Sequence, residues 1–337
     1  MLKIDKKDLK IGYHLLHNSR QPLSQIGKKV GLSREVVGNR INRLEKEGVI
    51  IGYPTFINSG CLGWGLARFY YTFKFVSPKI KQEIIEYFIN SDIVTLVAEL
   101  EGCYDLLINV YVNSLRTFEY PSKYRDLLSK FSSFYEQTQK KFRKYIDEQK
   151  MIAIHKSELF DPIYLLDNKN LSRSSIHWPP FPIKNVQIDK LDYEILKKLA
   201  VNAKVPTVQL ANDLNVTTAT IKNRIKRLID ENVIGKFGII IDNSKTGYRN
   251  YNVEINLNNY DKKHDIIKYV RKYQNIDGVF QSFGQGVDLN FSYTLKDNKE
   301  LQEIINDLSS EFPDAIKNYR YFSWEKYLKY NKVPFNE

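Results

Sequence analysis

Only two cysteines, Cys61 and Cys103, occur in 337 residues. That is too few for a disulfide scaffold or a four-cysteine zinc site, and no His/Cys cluster has metal-ligand spacing. Neither a metal nor a cofactor is therefore expected. No run of about 18 apolar residues is present to cross a bilayer. The opening MLKIDKKDLK lacks the apolar stretch of a signal peptide. These absences point to a reducing, cytoplasmic setting without a membrane partner. A P-loop and a nucleophile elbow are missing too, so nothing in the sequence asks for an enzyme. Positive charge is what the chain has in excess: 51 Lys and Arg against 39 Asp and Glu, a formal net charge of +12. Hydrophobic residues at 42% make this a folded chain of two domains or more. Its charge calls for a polyanionic partner such as nucleic acid.

The chain repeats itself. QIGKKVGLSREVVGNRINRLEKEGVI, from Gln25, aligns without a gap to QLANDLNVTTATIKNRIKRLIDENVI, from Gln209, 184 residues later. The same offset relates Asp5 to Asp189, Asp8 to Asp192 and Pro22 to Pro206. A register kept over that length is a tandem duplication, and each copy should carry one architecture.

Each copy opens with a small helical module. Asp5 is an N-cap, and Leu9, Tyr13 and Leu16 follow at helical spacing. Pro22 opens a second, short helix to Val30. Gly31 in copy one and Asn215 in copy two suit the turn that follows. Ser33 and Thr217 then cap a third helix, whose core face is Val37, Ile41 and Leu44, matched by Ile221, Ile225 and Leu228. The runs Val49–Ile51 and Val233–Ile234 are fit for a wing. The pattern predicts a winged helix-turn-helix at residues 1–60 and again at 188–246.

A βαββαβ unit follows each module, at residues 61–155 and 247–330. Copy one reads as strands at 66–76, 93–100, 105–112 and 135–146, with helices at 78–90 and 115–131. Copy two reads as strands at 251–257, 279–283, 288–295 and 316–327, with helices at 261–273 and 298–311. The expected fold class is α+β, two tandem copies of a winged helix-turn-helix followed by a ferredoxin-like split unit. Residues 156–187 hold four prolines and four serines and read as a linker. Phe160, Ile163, Tyr164, Leu165, Leu166 and Trp178 predict that it docks along a domain. The basic stretch Lys140–Tyr145 reads as an outer strand with Phe142 inward and its cations outward.

The third helix of such a module must present donors to phosphates and base edges. Copy one offers Ser33, Arg34, Asn39, Arg40, Asn42 and Arg43. Copy two offers Thr217, Thr218, Thr220, Lys222, Asn223, Arg224, Lys226 and Arg227. A solvated face is the plain alternative for any charge run. Its recurrence on the third helix of both modules favours double-stranded DNA as partner. Glu35 and Gly38 stand where copy two has Ala219 and Lys222. Copy two should bind phosphate more strongly, and paired half-sites should differ.

A helix-turn-helix ending in NRI-x-RLE-x-EGVI, followed by βαββαβ, resembles the Lrp/AsnC (leucine-responsive regulatory protein) family. Copy one also keeps the family's Gly-x-x-Asp signature as Gly102-Cys103-Tyr104-Asp105. The resemblance implies transcriptional regulation, an effector-binding and dimerisation (RAM/ACT-like) role for the βαββαβ units, and an amino-acid-type effector. That effector would sit near Gly102, Tyr104 and Asp105, and near Gly284, Gly286 and Asp288 in copy two, where the glycines are shifted. The fusion implies an intramolecular pseudo-dimer, with further homo-oligomers compatible. Sirohaem decarboxylases look like this family as well and would need His or Arg at a tetrapyrrole site. The five histidines (14, 17, 155, 177, 264) are expected on helices or in the linker, off the central strands.

Overall fold

The computed structural model describes residues 4–113, 125–166, 175–178, 186–284 and 286–330. In copy one the first three helices are α1 (Lys6–His17), α2 (Leu23–Val30) and α3 (Arg34–Lys46). Copy two repeats them as α6 (Lys190–Val201), α7 (Thr207–Asp213) and α8 (Thr218–Asp230). Asp5 and Asp189 each form a capping box with the aspartate three residues on, Asp8 and Asp192. Gly31 and Asn215 turn the chain into α3 and α8 at φ 68° and 52°, the left-handed region that these residue types tolerate.

The expected wings are not wings. Strand β1 (Ile50–Gly52) pairs with β9 (Ile240–Ile241), and β2 (Thr55–Ile57) pairs with β8 (Ile234–Phe237), so every ribbon joins the two copies. A local pattern of apolar residues specifies a strand but not its partner. Side chains follow the exchange. Ile239 of copy two packs in the first helical core, while Ile57 and Cys61 of copy one pack in the second. Two backbone bonds repeat the relation: Ser19 N–H donates to Phe237 O at 2.9 Å, and Ala203 N–H to Tyr53 O at 2.6 Å.

The βαββαβ units are β3 (Trp64–Phe73), α4 (Pro78–Ile89), β4 (Val94–Gly102), β5 (Leu106–Asn113), α5 (Arg125–Phe142) and β6 (Ile146–Phe160) in copy one. After a short β7 (Ser175–Trp178), copy two supplies β10 (Arg249–Leu257), α9 (Lys263–Val270), β11 (Ile276–Gly284), β12 (Leu289–Leu295), α10 (Asn298–Glu311) and β13 (Ile316–Tyr330). The strand order is β11-β12-β10-β13-β4-β5-β3-β6, and β6 pairs again with β11. Two four-stranded antiparallel sheets thus close into one eight-stranded barrel, with β7 added on β6. Closure leaves neither unit a free pair of edges. Helices cover the outside through two separate cores, and a third core fills the space between the sheets.

Copy one departs from the expected boundaries after residue 113. The predicted strand 135–146 is the C-terminal part of α5, and the last strand is β6. Phe134, Thr138 and Phe142 are buried at a spacing of four, a helical period that the interleaved aromatics and cations obscured. Phe142 does point inward, but from a helix. Of the predicted helix 115–131, residues 115–124 lie outside the described set. Strand β6 also runs through 155/156, where the linker was expected to begin.

The described part of the linker docks. Ile163 and Leu165 are buried, Tyr164 packs on Tyr248 at 5.3 Å between centroids, and Val186 N–H donates to Cys61 O at 2.7 Å. Asp161 accepts from His17 Nε2 on α1 at 2.9 Å. That bond, then the backbone bond to Tyr13, holds the His17 pKa above its usual 6.5 in spite of burial. The docking bond is therefore fully present below pH 6.5 and is lost as pH rises through the elevated value. His14, on the same helix, goes the other way: burial, then Lys29 and His17, bring it to about 4. An NMR titration of the ring protons should find the two histidines on opposite sides of 6.5. Asp161→Asn should lower His17 alone.

Candidate nucleic-acid interface

The third helices are placed by their caps and apolar faces. Ser33 Oγ accepts from Val36 N–H at 3.2 Å, and Thr217 Oγ1 from Thr220 N–H at 3.1 Å. Val37, Ile41 and Leu44, and in copy two Ile221 and Leu228, are buried, which turns the opposite face to solvent.

The exposed face is not the full set read from the sequence. Arg40 donates to Asp5 at 2.7 Å and to Asp8 at 2.8 Å, and Arg43 also reaches Asp8. Copy two repeats the cluster, with Arg224 on Asp189 and Asp192 and Arg227 on Asp192. The Asp8 and Asp192 carboxylates have no exposure. These four arginines therefore neutralise buried carboxylates at the start of the first helix of each module. Hydrogen bonds to Asp5 and Asp8 raise the Arg40 pKa. Asp189 is held below its usual range, first by the Asp192 backbone N–H and then, against burial, by Arg224. The clusters tie the third helix of each module to the start of its first helix.

What remains free is narrower. Arg34, Asn39 and Asn42 in copy one, and Lys222, Asn223 and Lys226 in copy two, are exposed. Among the described residues none of the six has a side-chain partner. Thr218 and Thr220 are half-buried, and the Thr220 hydroxyl lies 2.9 Å from that of Thr217. Reciprocal contacts hold the two modules against each other. Arg20 donates to Val205 O at 2.9 Å, and its counterpart in copy two, Lys204, pairs with Glu45 at 3.0 Å and lies over the Tyr53 ring.

The loops between second and third strands also have structural tasks. Gly102 has φ 119°, and a Cβ there would stand 2.9 Å from Tyr321 O. The Asp105 carboxylate accepts from Phe73 N–H at 2.7 Å, and Asp288 does the same for Leu257 at 2.8 Å. Tyr104 points inward, buried, with its hydroxyl on Glu254 at 2.8 Å. Gly286 turns its loop at φ 60°, and Gly284 ends β11. His155, expected in the linker, lies on barrel strand β6, with its pKa lowered by burial and then by Lys263 and Lys156. Among the described residues no cluster of His, Cys, Asp and Glu could hold a metal, and no helix is long and apolar enough to cross a membrane.

Fold and site together define a tandem helix-turn-helix protein whose two units are joined through a shared barrel. An AsnC-type helix-turn-helix domain is matched twice, at residues 4–45 and 188–229, so the chain carries that domain in duplicate. It is 26% identical over 148 residues to the HTH-type transcriptional regulator LrpB of Bacillus subtilis, covering 44% of this chain and 92% of the regulator. It is 29% identical over 128 residues to an uncharacterised HTH-type transcriptional regulator of Pyrococcus furiosus, covering 37% of this chain and 82% of that one. Each of these relatives corresponds to one unit. A solved structure, the siroheme decarboxylase NirDL, matches 99% of this chain and 95% of its own with a TM-score of 0.60 at 12% identity, which is a likeness of fold.

Proposed function

We propose that the chain is a sequence-specific regulator of transcription, in which the two third helices of one molecule read two unlike half-sites in double-stranded DNA. The observation behind this is the pair of exposed, unpartnered donor faces on two AsnC-type domains joined by exchanged strands. Lys222 and Lys226 suit phosphates, while Asn39, Asn42 and Asn223 have the bidentate geometry for adenine. Glu35 in copy one repels phosphate where copy two has Ala219. Half-sites selected by the protein should therefore differ in sequence, and symmetric selected sites would count against the reading. An amino-acid-type effector at the 102–105 and 284–288 loops is the second part of the proposal. Its support is the family resemblance alone, since Gly102 and Asp105 already have geometric tasks.

The test is recovery of fragments from the source genome by the full-length protein over excess competitor, repeated across a salt series. A few upstream fragments should be retained. With four neutralised phosphates, affinity should fall about 100-fold between 50 and 200 mM salt. Retention lost equally to any competitor, or a flat salt response, would refute the proposal.

The whole-chain likeness to NirDL favours a second reading, a tetrapyrrole decarboxylase built on the same fold. An absorbance scan with an iron tetrapyrrole decides it: a shifted Soret band supports this reading, and an unchanged one removes it.

A further inference from the structure

Helix α2 of copy one carries charge that its counterpart in copy two does not. Its sequence LSQIGKKV holds two lysines and no acid, whereas α7, TVQLAND, holds one acid and no cation. At the offset of the repeat, Ser24 becomes Val208, Lys28 becomes Asn212 and Lys29 becomes Asp213. Asp213 is engaged within copy two, by Lys198 of α6 at 2.9 Å. Lys28 is exposed, and among the described residues it has no partner. A solvated face is the ordinary reading of such a lysine. Its place on the helix argues for more.

Ile26 and Val30 of α2 are buried in one core with Ile11 and Leu15 of α1. Leu23 borders α3, since a Cβ on Gly38 would lie 3.5 Å from its Cδ1. Lys29 is on the α1 side, where it adds to burial in lowering the His14 pKa. Ser24 and Lys28, one turn apart, therefore line the remaining flank of α2, which borders α3 and faces away from α1. The first helix of a helix-turn-helix crosses the DNA backbone while the second lies in the groove. A cation on that flank is placed for a phosphate beside the groove, and α7 has none there. The unpartnered cations of the two faces then balance. Helix α3 brings Arg34, next to Glu35, and α8 brings Lys222 and Lys226. With Lys28 each module presents two, which makes up the four phosphates counted above.

We infer that the two modules hold the DNA backbone from different helices: copy one with Lys28 of α2 on a phosphate flanking its half-site, copy two from α8 alone. The inference rests on the DNA-binding reading above and adds a contact that no third helix supplies. It is tested with the full-length protein and a genomic fragment that wild type retains, by binding isotherms across a salt series. Lys28→Ala should weaken binding about 8-fold at 0.1 M salt and flatten the slope of log affinity against log salt by about 0.9. Lys29→Ala removes the same charge from the α1 side of the same helix and should leave the slope at the wild-type value. Asn212→Lys gives α7 the missing cation and should steepen the slope by about 0.9. An unchanged slope in Lys28→Ala, an equal loss in Lys29→Ala, or no gain in Asn212→Lys would each overturn the inference while DNA binding stands. A wild type that retains no fragment, or binds with a flat salt response, would instead remove the reading beneath it and the inference too.

Discussion

Replacing Lys222 and Lys226 together by Ala will cut DNA affinity about 60-fold at 0.1 M salt, and the slope of log affinity against log salt will fall by about 1.8. Both figures follow from counterion release: each neutralised phosphate contributes about 0.9 to the slope, hence about 8-fold at 0.1 M. The two ammonium groups are exposed and have no partner among the described residues, so Tm should stay within about 1 °C. Arg224→Ala with Arg227→Ala should behave differently. These guanidiniums compensate the fully buried Asp192, so their loss should cost about 1–3 kcal/mol of stability, discounted for their partial exposure. Any loss of DNA binding would then follow from a displaced α8. Comparing thermal unfolding with binding isotherms across a salt series separates the two cases. Equal Tm losses in both pairs, or an unchanged salt slope for the lysine pair, would contradict the assignment of the exposed face.

The contrast between lysines and arginines also marks how far the sequence could be read. Helix starts, caps and core faces were legible because they are set within a few residues: Asp5 with Asp8, Ser33 with Val36, and Val37, Ile41 and Leu44 on one face. The repeat made the reading secure by presenting each signal twice. Asp8 and Asp192 were visible as a matched pair, but their partners lie 32 to 35 residues away in the chain. A basic residue on a helix looks the same in sequence whether it faces solvent or a buried carboxylate. The clue available was the acid itself, repeated at the third position of a capped helix. Strand exchange was hidden for a related reason. Ile50 and Ile234 announce strands, but pairing within a copy and pairing across copies bury the same apolar faces. The Gly102–Asp105 signature was read as a ligand loop, whereas its glycine and aspartate answer to the approach of β13 and to the end of β3. Tyr104 adds the least legible contact of all, 150 residues away on Glu254.

That inward contact belongs to the group with the largest expected effect on stability. Lys150 and Glu254 are 6% and 3% exposed, come from opposite units, and lie 2.8 Å apart. Lys150→Met keeps most of the volume but leaves Glu254 with the Tyr104 hydroxyl alone, and should cost about 3–5 kcal/mol by denaturant unfolding. Adding Glu254→Leu should restore most of that loss, because Ile152, Phe322 and Tyr70 already make the surroundings apolar. A coupling energy below about 0.5 kcal/mol in the double-mutant cycle would mean that the two groups do not act as a pair. The loss should appear as one transition for the whole chain. Ile239 sits in the first helical core, Ile57 and Cys61 in the second, and both seams of the barrel join copy one to copy two, so neither copy has a complete core of its own. A seam weakened at Lys150 then lowers the stability of the helix-turn-helix pair along with the barrel. Two resolved transitions, with only the barrel shifted, would mean that the modules are stable without it.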